Sequence, residues 1–112
     1  MQPSLEHEVN QLHAEICAGL ADPKRILILY ELSSGARNVT ELAHALRLPQ
    51  PLVSRHLKVL RERGIVMATR VGPAMEYRLS DPRLIQAMDL LRAILRDNLT
   101  HRAELMGAFT EN

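Results

Sequence analysis

The chain has 112 residues, 46% of them apolar, a net charge of +1 and one cysteine. That length supports one small domain, the composition argues against disorder, and a lone thiol excludes an internal disulfide or a multi-cysteine zinc site within one chain. With no tryptophan and Tyr30, Tyr77 and Phe109 as the aromatics, the core falls to Leu, Ile, Val and Met, which suits packed helices better than a β-sandwich.

Leu5, Val9, Leu12, Ile16 and Leu20 are spaced 4-3-4-4, which predicts one apolar stripe on a helix of about five turns over 5–20. Asp22-Pro23 then reads as a helix start, with aspartate as cap and proline in the first turn. Lys24 to Ser33 is apolar nearly all round, so this helix should be central, ending at Ser34-Gly35. Thr40 is the expected cap of a short third helix with Leu42, Ala43 and Leu46 inward. Pro49-Gln50-Pro51 opens a fourth helix that runs to about Arg63 and stops at Gly64.

Between Ile65 and Leu79 the pattern changes to two strands around a Gly72-Pro73-Ala74 turn. Ser80-Asp81-Pro82 opens a last helix, predicted over 81–109, with Leu84, Met88, Leu91, Leu95, Leu99, Arg102 and Leu105-Met106 on its apolar side. The order is therefore α-α-α-α-β-β-α, a mainly helical winged helix-turn-helix: 39–63 the helix-turn-helix, 65–79 the wing, all within a single domain over 1–112. The first and last helices carry more apolar surface than a small core needs, so they are expected to build a homodimer. The chain lacks a basic-then-apolar leader pattern and an apolar run of spanning length, so a cytoplasmic protein without a membrane partner is expected.

The charge is unevenly spread. Arg47, Arg55, Lys58, Arg61, Arg63, Arg70 and Arg78 stand against Glu62 and Glu76 in the middle of the chain, whereas acids gather near the ends. This pattern places one anion-facing surface on a neutral scaffold. On the fourth helix, at about 100° per residue, Leu52, Val53, His56, Leu57, Val59 and Leu60 take one half. Gln50, Ser54, Lys58 and Arg61 fall within about 80° on the other, with Arg55 at the flank. Such a ridge suits a major groove: glutamine pairs with adenine, arginine with guanine O6 and N7, and serine allows close approach. Free N–H groups at the helix start would add a phosphate site. In the hairpin, Arg70 and Arg78 flank the tip and could reach backbone or minor groove.

Leu20 to Leu29, Val39-Thr40-Glu41-Leu42-Ala43 and, above all, the run from Gln50 to Val66 resemble the ArsR/SmtB family of small bacterial winged-helix repressors, over about Leu12 to Leu99. The resemblance implies a homodimer on an inverted-repeat operator in double-stranded DNA, repression relieved by an inducer that the sequence does not identify, and Gln50, Ser54 and Arg55 as DNA readers. Pro49 stands where the family often has a capping serine.

The family's metal sites are not matched. Glu41 to Leu46 holds no thiolate for an arsenic or lead site; for the zinc-type site Asp81 is present, but Arg83, Ile94 and Leu95 stand where other ligands belong. The weaker metal candidates are His13 and Cys17, four apart, and Asp97, His101 and Glu104 on the last helix; they would converge only if those helices pack across a dimer. A polar surface with an inert cysteine is the favoured reading, and a redox role for Cys17 would need a second thiol. No cofactor is therefore expected, a metal ion being the one exception left open. Enzymatic activity has no supporting motif. The competing binding function is a winged-helix module for protein, not DNA.

Overall fold

The computed structural model describes residues 3–110, with side chains from 4 to 107. It divides into a unit ending at Asp81 and a terminal unit from Pro82.

The first unit opens with α1 (Pro3–Leu12), which passes into one widened helical turn over His13–Cys17, where the Ala18 amide donates to the His13 carbonyl five residues back. The sequence predicted a regular helix throughout this stretch. Arg63 Nη1 donates to the Ala14 carbonyl, so a side chain from elsewhere in the fold supports the widened turn. Leu5, Val9, Leu12 and Ile16 all remain exposed, an apolar stripe without cover in the single chain.

Helix α2 (Pro23–Leu32) begins as predicted: Asp22 Oδ1 accepts from the Lys24 amide at 2.8 Å, and Pro23 occupies a first-turn position. Ile28, Leu29 and Leu32 are buried, Ile26 and Tyr30 half-buried and Leu27 exposed, so one face of the helix, not its whole circumference, packs into the core. A short strand, β1 (Arg37–Asn38), precedes α3 (Val39–Leu46). The cap of α3 is Asn38, not Thr40. Asn38 Oδ1 accepts from the Glu41 amide at 2.8 Å and Glu41 Oε1 accepts from the Asn38 amide at 3.0 Å, a reciprocal capping box. Pairing of Asn38 with Glu76 in the sheet fixes this residue in extended backbone, and that sets the helix start two residues early.

α3 ends on Arg47 in the left-handed conformation (φ 55°), with the Leu48 amide returning to the Ala43 carbonyl at 3.0 Å. After this tight turn α4 (Gln50–Glu62) begins. It ends as the sequence predicts. Gly64 adopts φ 72°, the Ile65 amide returns to the Leu60 carbonyl at 2.9 Å, and buried Ile65 lies beside buried Leu60.

The sheet has three antiparallel strands, not two, in the order β1-β3-β2, with β2 (Val66–Val71) and β3 (Ala74–Leu79) forming the hairpin. β1 was missed because two residues carry no alternation to read. In the hairpin Val66 faces Leu79 and Val71 faces Ala74. Gly72 takes φ 60° and the proline ring restricts φ at Pro73 to about −65°, the positive-then-negative order of a type II′ turn. The core of this unit is Ile28, Leu29, Leu32, Leu42, Ala43, Val53, Leu57, Leu60, Ile65 and Val66, with His56 among them.

The second unit is α5 (Arg83–Thr110), which starts two residues after the expected Asp81. Its apolar surface is wider than predicted: Leu90 and Ile94 are exposed as well as Leu91, Leu95, Leu99, Leu105 and Met106. Among the described residues, no helix is long and apolar enough to cross a membrane.

Candidate nucleic-acid interface

The face of α4 follows from which of its residues the core claims. Val53, His56, Leu57 and Leu60 are buried and Leu52 and Val59 half-buried. Gln50, Ser54, Arg55, Lys58 and Arg61 are all exposed. At about 100° per residue the buried set centres nearly opposite Lys58 and Arg55, while Gln50 and Arg61 sit at the edge beside Leu57. Arg55, expected at the flank, is therefore on the outward crest. The ridge presents three cations, a hydroxyl and an amide.

Gln50 is not free of the rest of the fold. Its Nε2 donates to Thr40 Oγ1 at 3.3 Å, which ties the start of α4 to the start of α3. Thr40, with Asn38, Val39, Pro73, Ala74, Met75 and Tyr77, lines an open groove of about 360 Å³ between α3 and the wing tip. The expected set of free amides at the start of α4 is reduced. Pro51 has no N–H, and the Leu52 and Val53 amides both donate to the Pro49 carbonyl at 3.1 Å. The Gln50 amide is the most that this turn can offer an anion.

The two wing arginines differ. Arg70 lies one residue from the end of β2, opposite Met75, and is exposed. Arg78 pairs with Met67 towards the base of the hairpin. By strand alternation the two project from opposite faces. Arg78 Nη1 donates to Thr69 Oγ1 at 2.7 Å, so part of its donor capacity is used within the sheet. Arg78 thus does not flank the tip as Arg70 does.

Behind the ridge, Arg25 and His56 were not paired by any sequence signal. Arg25 donates to the Gly19 carbonyl (Nε, 2.7 Å) and the Ala18 carbonyl (Nη2, 3.3 Å), and its Nη1 lies 3.4 Å from His56 Nδ1. Burial is the main reason that the His56 ring is held below the ordinary histidine range. Asp22 pulls the other way, and Arg25, Lys24 and Arg55 add to the lowering. The Lys24 amide, by hydrogen bonding, holds the Asp22 carboxyl below its usual value.

The metal candidates are placed but not gathered. His13 and Cys17 are exposed at the two ends of the widened turn, and Asp97, His101 and Glu104 are exposed on α5. Among the described residues no three His, Cys, Asp or Glu side chains form a group able to hold a metal.

The family model described as "Bacterial regulatory protein, arsR family" matches residues 22–68. The chain is 39% identical over 97 residues to the HTH-type transcriptional repressor SmtB of Mycobacterium tuberculosis, covering 87% of this chain and 67% of that one. It is 34% identical over 92 residues to the biofilm growth-associated repressor of Agrobacterium fabrum, covering 82% and 78%. Among solved structures, the homodimeric winged helix-turn-helix DNA-binding domain (fragment 1–100) from Mycobacterium bovis superposes with a TM-score of 0.75 at 26% identity, covering 90% of this chain and 93% of that one. The transcriptional repressor BigR from Xylella fastidiosa gives 0.70 at 30% identity, covering 84% and 96%.

Proposed function

The chain belongs to the arsR family of bacterial regulatory proteins, and from that premise we propose that it represses transcription by seating α4 of each protomer of a homodimer in the major groove of an operator. It is a DNA-binding transcriptional regulator with a winged helix-turn-helix fold, not an enzyme. The observation that carries the proposal is the exposed ridge of Gln50, Ser54, Arg55, Lys58 and Arg61 on a helix whose other side is core.

Within that reading the roles divide by chemistry. Gln50, Ser54 and Arg55 address base edges, where bidentate or close contacts discriminate. Lys58 and Arg61 neutralise phosphates on the groove walls, and Arg70 reaches the flanking backbone from the wing tip. Arg78, committed in part to Thr69, supports the hairpin and adds a weaker contact. The exposed apolar stripes of α1 and α5 are the faces offered to the second copy, and an inverted-repeat operator follows from the two-fold symmetry of such a dimer.

Two experiments test this reading. A selection of bound duplexes from a random pool should yield an inverted repeat whose half-sites are about one helical turn apart. Enrichment of no duplex, or equal affinity for every sequence, would overturn the proposal. Zn²⁺ titration of wild type and Cys17→Ala, read by duplex binding, addresses regulation by metal. A response lost in the variant assigns the cysteine a ligand's role, and identical curves remove it.

A further inference from the structure

We propose that Arg25 and His56 form a joint that sets α4 against the end of the first helix, with His56 the positioning residue whose uncharged ring keeps α4 placed for DNA. The inference rests on the reading of α4 as the DNA-facing helix.

The joint is built from three directions at once. The guanidinium of Arg25 takes the last two carbonyls of the first helical segment, those of Ala18 and Gly19, and turns its remaining Nη1 to Nδ1 of His56, 31 residues further along the chain. Arginine has donors only, so the contact requires a bare Nδ1 and places the ring proton on Nε2. His56 is 8% exposed, and its buried Nε2 has no hydrogen-bond partner. A buried polar atom left this way is costly, and the same tautomer is the one that serves Arg25.

Protonation reverses the contact. A proton on Nδ1 would remove the acceptor and set two like charges against each other across 3.4 Å. The charged groups acting on the ring are Asp22 at the start of α2, Lys24 and Arg25 in α2, and Arg55 on its own helix; Asp22 alone favours the charged form. Burial and the three cations oppose it, so the ring is neutral near pH 7 and charges on acidification.

Movement here would be felt by DNA because α4 is referenced to the first helix at several points. Besides the Arg25 contacts, Arg63 donates to Ala14. Gly19 packs so closely that a Cβ there would stand 2.5 Å from Ile65 Cδ1 and 3.1 Å from Arg63 Cδ. In a dimer that uses the stripe of α1, the seat of α4 on the first helix sets the separation of the two reading helices. An operator with fixed half-site spacing tests that separation.

The experiment compares wild type with His56→Asn, whose amide oxygen can stand near the Nδ1 position but does not titrate. The probe is the duplex that wild type enriches from a random pool at about pH 7.5, with a scrambled duplex beside it at fixed salt. As pH falls from about 7.5 through the midpoint of His56, wild type should lose affinity for the enriched duplex relative to the variant, approaching roughly tenfold for each joint once the ring is charged, the loss of one charge-assisted hydrogen bond. The scrambled duplex should show no such difference. NMR titration of the wild-type protein without DNA gives a second readout that needs no variant: the His56 ring and Arg25 Nε–H signals should move together with one midpoint below 6.5. Parallel affinity profiles for wild type and variant, or a His56 titration to which Arg25 does not respond, would overturn the joint. Failure of wild type to bind any duplex at any pH would instead refute the reading of α4, and the NMR titration would still decide the joint.

Discussion

Replacement of Arg70 by alanine is the sharpest test of how the wing contributes. Arg70 is exposed beside the hairpin tip and, on the proposed reading, contacts one phosphate per half-site. A dimer then loses two contacts, and the slope of log affinity against log salt should flatten by about 1.8, at about 0.9 per phosphate. Over a fourfold salt change, from about 50 to about 200 mM, the deficit of the variant relative to wild type should shrink by about tenfold. Fluorescence anisotropy of a labelled duplex across a NaCl series measures this directly, for the enriched and for a scrambled sequence. Both should weaken alike. An unchanged slope would show that Arg70 meets no phosphate, and a changed sequence preference would make the wing a reader of bases. Arg78→Ala is the internal comparison: its guanidinium already serves Thr69, so its effect on the slope should be smaller.

Three further predictions concern the scaffold. Asn38→Ala removes the capping box of α3 and should lower unfolding free energy by about 1 kcal/mol, read as a shift of the urea midpoint at constant slope. Arg47→Gly relieves a left-handed arginine in the turn before α4 and should raise stability by about 1 kcal/mol in the same assay; no gain would mean that the side chain itself compensates. His56 is held below its ordinary value when folded, so the unfolded chain binds its proton first: its contribution is fully present above about pH 6.5, falls as pH drops through that value, and levels off beneath the folded value. Urea midpoints of wild type and His56→Asn should therefore diverge on acidification and agree in slope above neutrality.

What the sequence disclosed and what it hid divide by range. Asp22-Pro23, Gly64 and Gly72-Pro73 act within a few residues, and each produced the predicted start, stop or turn. The choice of Asn38 over Thr40 as cap was decided by a sheet partner at Glu76, which no local pattern reveals. The widened turn at His13–Cys17 has no glycine or proline to announce it, and its Ala14 carbonyl is met by Arg63, 49 residues away. On α4 the apolar periodicity identified the helix, but only the burial of Val53, His56, Leu57 and Leu60 fixed the outward direction and moved Arg55 to the crest. The loss of amide donors at the start of α4 is readable in part, since Pro51 stands in the sequence, whereas the use of the next two amides by the Pro49 carbonyl depends on how tightly the chain turns there. Arg25 and His56 are ordinary helix residues until the fold brings them to 3.4 Å.

Methylation interference on the enriched duplex puts the role of α4 to the most direct test. N7-methylation of guanine blocks the major-groove edge that an arginine reads. Methylation of guanines in both half-sites should prevent wild type from binding. Arg55→Ala should bind more weakly by roughly 1–3 kcal/mol and become indifferent to methylation at one symmetric pair of positions. Binding by wild type that tolerates N7-methylation throughout both half-sites would contradict the placement of α4 in the major groove.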